Sequence, residues 1–187
     1  MSGRIFLITG GARSGKSTYA ESLAKRLCPE ESRRCYIATA QAIDSEMQSR
    51  IQLHKQRRGN DFYTVEAPIQ LGSAIKQQLG RCDVILVDCL TIWTSNLLYY
   101  NKISEKDDLL ATLRCLHNPS TIDGAGPSSP DIVLVTNETG MGIVPENKLS
   151  RDFRDLAGFI NQDVAKIADT VVLMVCGLPM FVKGSFS

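Results

Sequence analysis

The sequence predicts an α/β fold in which helices cover both faces of a mostly parallel β-sheet. Short apolar runs alternate with longer amphipathic stretches, an order typical of strand–helix–strand units around a buried parallel sheet. The length of 187 residues suits one domain with a sizeable core and is too short for two ordinary ones. We therefore expect a single domain that spans residues 1–187. The predicted strands are Ile5 to Thr9, Cys35 to Thr39, Val84 to Asp88, Ile132 to Thr136 and Thr170 to Val175.

The composition is that of an ordinary globular protein, with 43% apolar and 22% charged residues. Lys and Arg total 21 against 20 Asp and Glu, so the net charge of +1 gives no global field that points to nucleic acid or a membrane surface. The N-terminal apolar run is shorter than a signal sequence, and no segment reaches the roughly 20 apolar residues of a membrane-spanning helix, which favours a cytoplasmic location. The six cysteines form no C-x-x-C pair, so we expect mainly buried, reduced thiols.

A glycine-rich loop follows the first predicted strand and matches the pattern G-x-x-x-x-G-K-[ST]. An accidental match is rare, on the order of one in a hundred or less, even before the helical stretch from Thr18 to Leu27 that follows it is counted. Glycines let the backbone wrap closely enough for its N–H groups to face phosphate oxygens, and in such a loop Lys16 reaches the terminal phosphates while the Ser17 hydroxyl binds Mg²⁺. The loop therefore predicts a P-loop NTPase of the RecA-like type. Its residues are Gly10, Gly11, Ala12, Arg13, Ser14, Gly15, Lys16 and Ser17.

Asp88 ends the third predicted strand, where a P-loop protein holds an acidic residue for its metal. An Asp after an apolar strand is also common as a turn or helix N-cap residue, so its position alone does not decide its role. Together with the P-loop, it predicts that Ser17 and Asp88 hold the Mg²⁺ of a bound nucleotide.

A second helix is predicted from Ile43 to Arg58, and His54 lies on its apolar face. Cations surround this histidine along the chain, and they disfavour its protonation, so we expect a neutral imidazole that can attack phosphorus. The structural alternative is a hydrogen-bonded core histidine beside a solvated charged face. The cations are Arg50, Lys55, Arg57 and Arg58.

Two further segments differ in character. Asn118 to Pro130 is rich in proline, glycine and serine, and we predict a flexible surface loop there. Ser150 to Ala168 keeps apolar residues at i, i+3, i+4 and i+7, which predicts an amphipathic helix that packs one face on the sheet.

Several segments form a characteristic set together with the P-loop. They are Thr9 to Ser17, Tyr36 to Gln41, Glu46-Met47, Arg50-Ile51, His54-Lys55, Thr136 to Glu138, Gly140 to Asn147, Phe153 to Asp155, Gly158, Asn161 and Gln162. With these segments the chain resembles, over nearly its whole length, the bifunctional adenosylcobinamide kinase and adenosylcobinamide-phosphate guanylyltransferase family of cobalamin biosynthesis. The later segments are the more specific ones, because the P-loop alone would fit many NTPases.

The resemblance implies two successive reactions. The first phosphorylates the aminopropanol hydroxyl of adenosylcobinamide with ATP or GTP, and the second transfers GMP from GTP to that phosphate, giving adenosyl-GDP-cobinamide and pyrophosphate. It also implies that GMP passes through a covalent bond to His54 and that the protein is a homotrimer. Some relatives carry two adjacent histidines where this chain has Leu53-His54, so one candidate nucleophile is left. The implied nucleotide contacts, besides the P-loop, are Thr39, Ala40, Gln41, Lys55, Gln56, Arg57, Arg58, Glu66 and Asp88.

Two other functions are compatible with a P-loop. A simple P-loop small-molecule kinase would transfer only the γ-phosphoryl group and use His54 structurally, whereas a non-catalytic regulatory module would bind nucleotide to switch partners. Acceptor-dependent consumption of nucleotide separates an enzyme from the module, and covalent labelling separates the two enzymes. Asp88 and Glu138 both follow strands, so either could be the general base for the acceptor hydroxyl.

Overall fold

The computed structural model describes residues 2–41, 48, 52, 56, 59–117 and 129–185. Its strands are β1 (Ile5–Gly10), β2 (Arg34–Ala38), β3 (Tyr63–Glu66), β4 (Val84–Asp88), β5 (Asp131–Val135), β6 (Thr170–Val175) and β7 (Leu178–Lys183). They form one sheet in the order β3-β2-β4-β5-β1-β6-β7. Neighbouring strands run parallel except β7, which is antiparallel to β6. The predicted, mostly parallel sheet is confirmed.

Helices cover both faces of this sheet, as predicted. They are α1 (Lys16–Leu27), α2 (Leu71–Gln77), α3 (Leu90–Tyr99), α4 (Glu105–Leu116) and α5 (Lys148–Ile167), with a short 3-10 helix at Glu31–Arg33. Helix α1 packs Leu23 against one face, in a cluster with Phe6 and Ile8 of β1. Helices α2 to α5 cover the other face around the fully buried Trp93, whose indole Nε1 donates to the Ile69 carbonyl oxygen at 2.6 Å.

All five predicted strands are present, and their ends differ from the prediction by one residue at most. The sequence did not predict β3 and β7, which form the two outer edges of the sheet. Strand β3 has only four residues, which alternate between half-buried and exposed, and all six residues of β7 are exposed. Strand β3 lacks the continuous apolar run by which the inner strands were found, whereas β7 has such a run, from Leu178 to Val182, and was nevertheless not predicted.

The predicted amphipathic helix begins two residues earlier than expected, at Lys148, and ends at Ile167. The Asn147 side chain accepts a hydrogen bond from the Ser150 N–H at 2.7 Å, which caps the free N–H groups at the start of α5. The helix buries residues such as Ile160 on the sheet, so the predicted packing face is confirmed.

The predicted helix from Ile43 to Arg58, with His54, lies outside the described residues, apart from three glutamines. These are Gln48, Gln52 and Gln56, which are helical and exposed. Of the predicted loop from Asn118 to Pro130, only Ser129 and Pro130 are described.

The expectation of mainly buried, reduced cysteines agrees with the structure at most positions. All six cysteines are free, three are buried and two half-buried, but Cys176 is exposed because it lies in the turn between β6 and β7. In the ranges that the structure describes, no helix combines the length and apolar character needed to cross a membrane.

Candidate nucleotide-binding site

The glycine-rich loop turns sharply between β1 and α1. A side chain at Gly10, which has φ 149°, would lie 2.6 Å from the carbonyl oxygen of Met174, so only glycine fits there. Gly15 has φ 93°, a left-handed conformation, directly before Lys16, the first residue of α1. The loop therefore ends at a helix N-terminus, whose free N–H groups and dipole favour a phosphate group.

The turn between β6 and β7 packs against this loop. The Gly177 N–H donates to the Ser14 carbonyl oxygen at 3.1 Å, and a Cβ at Gly15 would lie 3.3 Å from the Gly177 Cα. This contact was not predicted, although a glycine between two apolar runs is a signal for a turn. The turn thus supports the outer side of the loop.

The Lys16 ammonium group is buried at the base of the loop, with only 7% of the residue exposed. Its Nζ donates to the Gly11 carbonyl oxygen, and it lies 3.4 Å from the Ser14 hydroxyl. Burial lowers the pKa of Lys16 below its ordinary value, against the attraction of the nearby Asp88 carboxylate. A desolvated cation in this position gains from an anionic ligand such as the terminal phosphates of a nucleotide.

Asp88 ends β4 close to this lysine. The Tyr36 hydroxyl on β2 donates to Asp88 Oδ2 at 3.1 Å. Ser17 lies half-buried in the first turn of α1. A carboxylate and a hydroxyl are oxygen donors of the kind that Mg²⁺ prefers, so Asp88 and Ser17 fit a Mg²⁺ that also binds phosphate oxygens and water.

Thr39 joins the carboxyl ends of β2 and β4. Its hydroxyl donates to the Cys89 carbonyl oxygen at 2.8 Å and accepts from the Cys89 N–H at 2.9 Å. The Asn96 side chain on α3 donates to the carbonyl oxygens of Thr39 and Pro68, both at 2.9 Å. Thr39 is fully buried, so its hydroxyl, a predicted nucleotide contact, is engaged by the backbone next to Asp88.

The remaining described contacts lie farther along the same edge of the sheet. Ala40 and Gln41 follow β2 and are half-buried, and the Tyr100 hydroxyl donates to Gln41 Oε1 at 3.1 Å. Glu66 ends β3 opposite Ala38 and is exposed. The structure therefore groups the loop, Asp88 and Thr39 around Lys16, with Ala40, Gln41 and Glu66 beyond them. Gly11, Ala12, Arg13 and Gln56 are exposed, and His54, Lys55, Arg57 and Arg58 lie outside the described residues.

Side chains from two helices hold the peptide that follows β5. The Asn137 N–H donates to Thr91 Oγ1 at 2.7 Å, and its carbonyl oxygen accepts from Asn161 Nδ2 at 3.2 Å. Asn161 Oδ1 accepts from the Thr136 hydroxyl at 2.8 Å. The next residue, Glu138, donates its N–H to the carbonyl oxygen of the first loop glycine at 3.0 Å. The segment Thr136 to Glu138 is thereby fixed directly beside the loop, a role that the sequence did not assign.

Comparison with known proteins identifies the family. The sequence model of the family described as "Cobinamide kinase / cobinamide phosphate guanyltransferase" matches residues 6–182. This chain belongs to that family. The predicted family, and with it the predicted kinase and guanylyltransferase activities, are confirmed.

Two relatives of this cobinamide kinase / guanyltransferase match over almost their full lengths. The "Bifunctional adenosylcobalamin biosynthesis protein CobP" of Pseudomonas aeruginosa is 44% identical over 181 residues, which cover 95% of this chain and 96% of the relative. The "Bifunctional adenosylcobalamin biosynthesis protein CobU" of Salmonella typhimurium is 42% identical over 184 residues, 96% of this chain and 99% of the relative.

A solved structure supports the fold. The flagellar accessory protein FlaH from Methanocaldococcus jannaschii superposes with a TM-score of 0.55 at 14% identity, over 100% of this chain and 83% of FlaH. At this identity the likeness concerns the fold alone, and it supports the predicted α/β fold.

Proposed function

We propose that this enzyme carries GMP through a covalent bond to His54 and that both of its reactions use nucleotide bound at the loop around Lys16. In the kinase reaction, the aminopropanol hydroxyl of adenosylcobinamide gives its proton to a general base and attacks the γ-phosphorus of ATP or GTP. The bond to the β-phosphate oxygen breaks, and the nucleoside diphosphate leaves. In the guanylyl transfer, the His54 imidazole attacks the α-phosphorus of GTP and pyrophosphate leaves. The phosphate of adenosylcobinamide phosphate then displaces the imidazole and gives adenosyl-GDP-cobinamide.

The buried ammonium group of Lys16 is the observation that carries the proposed nucleotide site, whereas the covalent route through His54 rests on the family resemblance. It lies at a helix N-terminus with Asp88 nearby, so one bound triphosphate would meet a cation, backbone N–H groups and a carboxylate-held Mg²⁺. We assign Mg²⁺ to Ser17 and Asp88, and the nucleotide to the loop and the contacts beyond it. Bound Mg²⁺ would neutralise phosphate charge during both transfers. The proposed contacts outside the loop are Thr39, Ala40, Gln41, Lys55, Gln56, Arg57, Arg58, Glu66 and Asp88.

We also propose that the enzyme works in the cytoplasm as a homotrimer. Strand β7 supports self-association, because Leu178 and Val182 are 71% and 64% exposed at the edge of the sheet. An exposed strand at the edge of a sheet is a template for pairing with another chain. Light scattering should give a mass about three times the 20.6 kDa of the chain.

Covalent labelling tests the proposed route of GMP. The protein is incubated with Mg²⁺ and GTP labelled at the α-phosphorus, denatured, and assayed for label that is lost in acid and resists alkali. Wild-type protein should retain this label and His54→Ala should not. The chain has only two histidines, so His117→Ala is the matched control and should label like wild type.

The position of the second histidine makes this control clean. His117 follows α4 and lies 3.2 Å from Asp169, the residue before β6, at the opposite end of the sheet from the loop. If the wild type binds GTP but takes up no label, the covalent route is wrong and direct transfer or a simple P-loop kinase replaces it. Label that persists in His54→Ala would move the nucleophile to another residue.

A further inference from the structure

The hydroxyl of Tyr36 reaches Asp88 from the neighbouring strand. Tyr36 pairs with Leu86, two residues before Asp88, so the Tyr36 and Asp88 side chains lie on the same face of the sheet. The ring is 4% exposed and packs edge-on against Phe62, with 6.2 Å between the ring centres. This packing fixes the hydroxyl 3.1 Å from Asp88 Oδ2.

Thr39 fixes the same aspartate through the backbone. The N–H that Thr39 Oγ1 accepts belongs to the peptide bond between Asp88 and Cys89, and the same hydroxyl donates to the Cys89 carbonyl oxygen. The Thr39 N–H also points to the Asp88 carbonyl oxygen at 3.4 Å. The Asn96 side chain holds Thr39 in turn, so the position of Asp88 is determined from both its side chain and its backbone.

A carboxylate that binds a metal needs this kind of support. It has two oxygens, and a hydrogen bond to one of them sets the direction of the other. Removal of the hydrogen-bond partner of a metal ligand typically lowers metal affinity by about 10–100-fold. Tyr36 donates without adding a positive charge, so it orients the Asp88 carboxylate and leaves its negative charge available to a cation.

We infer that Tyr36 and Thr39 are positioning residues for Asp88, and that they set the affinity of the site for the divalent cation of the nucleotide. This inference rests on the metal role of Asp88 in the proposed function. Thr39 then acts on the metal ion through Asp88. Tyr36 gains a positioning role that the P-loop pattern does not assign.

The test measures metal binding without turnover. Mn²⁺ is titrated into the protein in the presence of GTP whose α and β phosphorus atoms are joined by a methylene group, and free Mn²⁺ is followed by electron paramagnetic resonance. Tyr36→Phe and Thr39→Val should each weaken Mn²⁺ binding by about tenfold. Thr39→Ser keeps the hydroxyl and should restore binding to within about twofold of wild type.

Two further measurements separate positioning from a general structural effect. Binding of the same nucleotide in EDTA should be unchanged in Tyr36→Phe. Tyr63→Phe is the matched control, because Tyr63 on β3 also donates its hydroxyl at 3.1 Å, to Gln78 Oε1, at the other end of the sheet. It should bind Mn²⁺ like wild type.

Asp88→Asn distinguishes the ways in which the inference could fail. If Asp88→Asn loses Mn²⁺ affinity while Tyr36→Phe and Thr39→Val keep it, the positioning role is wrong and the metal role of Asp88 stands. If Asp88→Asn also binds Mn²⁺ normally, both the inference and the proposed metal site are wrong, whatever the labelling of His54 shows. An equal loss of Mn²⁺ binding and metal-free nucleotide binding in Tyr36→Phe would overturn the positioning role in favour of a structural one.

Discussion

The two ends of β4 hold an aspartate in opposite ways. Before the strand, Asp83 accepts two hydrogen bonds from the Arg33 guanidinium, at 2.9 and 2.5 Å, and this pairing holds the pKa of Asp83 below its usual value. At the end of the strand, Asp88 accepts a hydrogen bond from the neutral hydroxyl of Tyr36. The charge of Asp83 is paired with that of Arg33, whereas Tyr36 leaves the negative charge of Asp88 available to a metal ion.

The same difference is seen in other residues at the two ends of the strands, here called the amino edge and the carboxyl edge of the sheet. At the amino ends of the strands, Arg4 forms a second ion pair, with Asp131 at 2.8 Å. At the carboxyl ends, the described side-chain bonds that fix Thr39 and Asn137 involve only neutral groups. Neutral bonds can fix a site without cancelling its charges, so Lys16 and Asp88 can act on a ligand.

Removal of the Lys16 charge is expected to have the largest effect at the carboxyl edge. Lys16→Met keeps the length of the side chain and should lower kcat of both reactions by about 10²–10³-fold, since a buried cation stabilises charge on the transferring phosphorus group. Thermal stability should stay the same or rise, because burial already opposes the charge of Lys16. Steady-state rates of phosphorylation and guanylylation measure the loss.

Arg33→Met is the matched change at the amino edge. It should leave both rates within about twofold, because an exposed ion pair contributes little to the stability of the fold and this one lies at the opposite end of the strands from the loop. A Lys16→Met enzyme that retained a tenth of its activity, or an Arg33→Met enzyme that lost as much as Lys16→Met, would contradict the division between the two edges.

Asp88→Asn and Asp83→Asn make the same chemical change, from a carboxylate to an amide, at the two ends of β4. Asp88→Asn should lower kcat/KM for Mg²⁺-nucleotide by about 100-fold, whereas Asp83→Asn should leave it unchanged. Asp83→Asn should lower Tm at pH 7 by no more than about 3 °C. Because the folded pKa of Asp83 is lowered, its stabilisation is present above the unfolded pKa and disappears as pH falls through the folded value.

Activity and melting are therefore measured together, from pH 7 down to about pH 3. The Tm difference between wild type and Asp83→Asn should shrink toward zero in acid. A difference that stayed constant with pH would mean that Asp83 stabilises the fold by something other than its charge.

Local patterns locate the P-loop and Asp88, because each is read from neighbouring residues in its own stretch of chain. The contacts that fix Asp88 could not be found this way. Tyr36 lies 52 residues from Asp88 in the sequence, and only the register of β2 against β4 brings the two together. The alternation of strands and helices predicts a parallel sheet but leaves the order of its strands open.

One of the two missed strands has a related cause. Strand β3 is found only through its pairing with β2, since a four-residue strand with two exposed positions puts little demand on side-chain type. The same reasoning applies to Asn161, which the sequence places on α5 without showing that it meets the end of β5.

Asn161→Ala is expected to have a smaller effect than the changes at Lys16 and Asp88. It leaves the Thr136 hydroxyl and the Asn137 carbonyl oxygen without the partner that Asn161 provides, so the free energy of unfolding should fall by about 1–3 kcal/mol. The rate kcat should fall severalfold, because the peptide beside the loop loses one of its two side-chain supports. Gln162→Ala, on the exposed side of the same helix, should change unfolding by no more than about 0.5 kcal/mol.

Salt then separates the neutral bonds from the ion pairs. Urea unfolding of Asn161→Ala should show the same loss at low salt and at about 1 M, because the lost hydrogen bonds are buried and uncharged. The small loss in Asp83→Asn should fade over that range, because an exposed ion pair is screened. If the Asn161→Ala loss also faded with salt, charge would contribute to the carboxyl edge as it does to the amino edge, and the distinction between the two ends of the sheet would not hold.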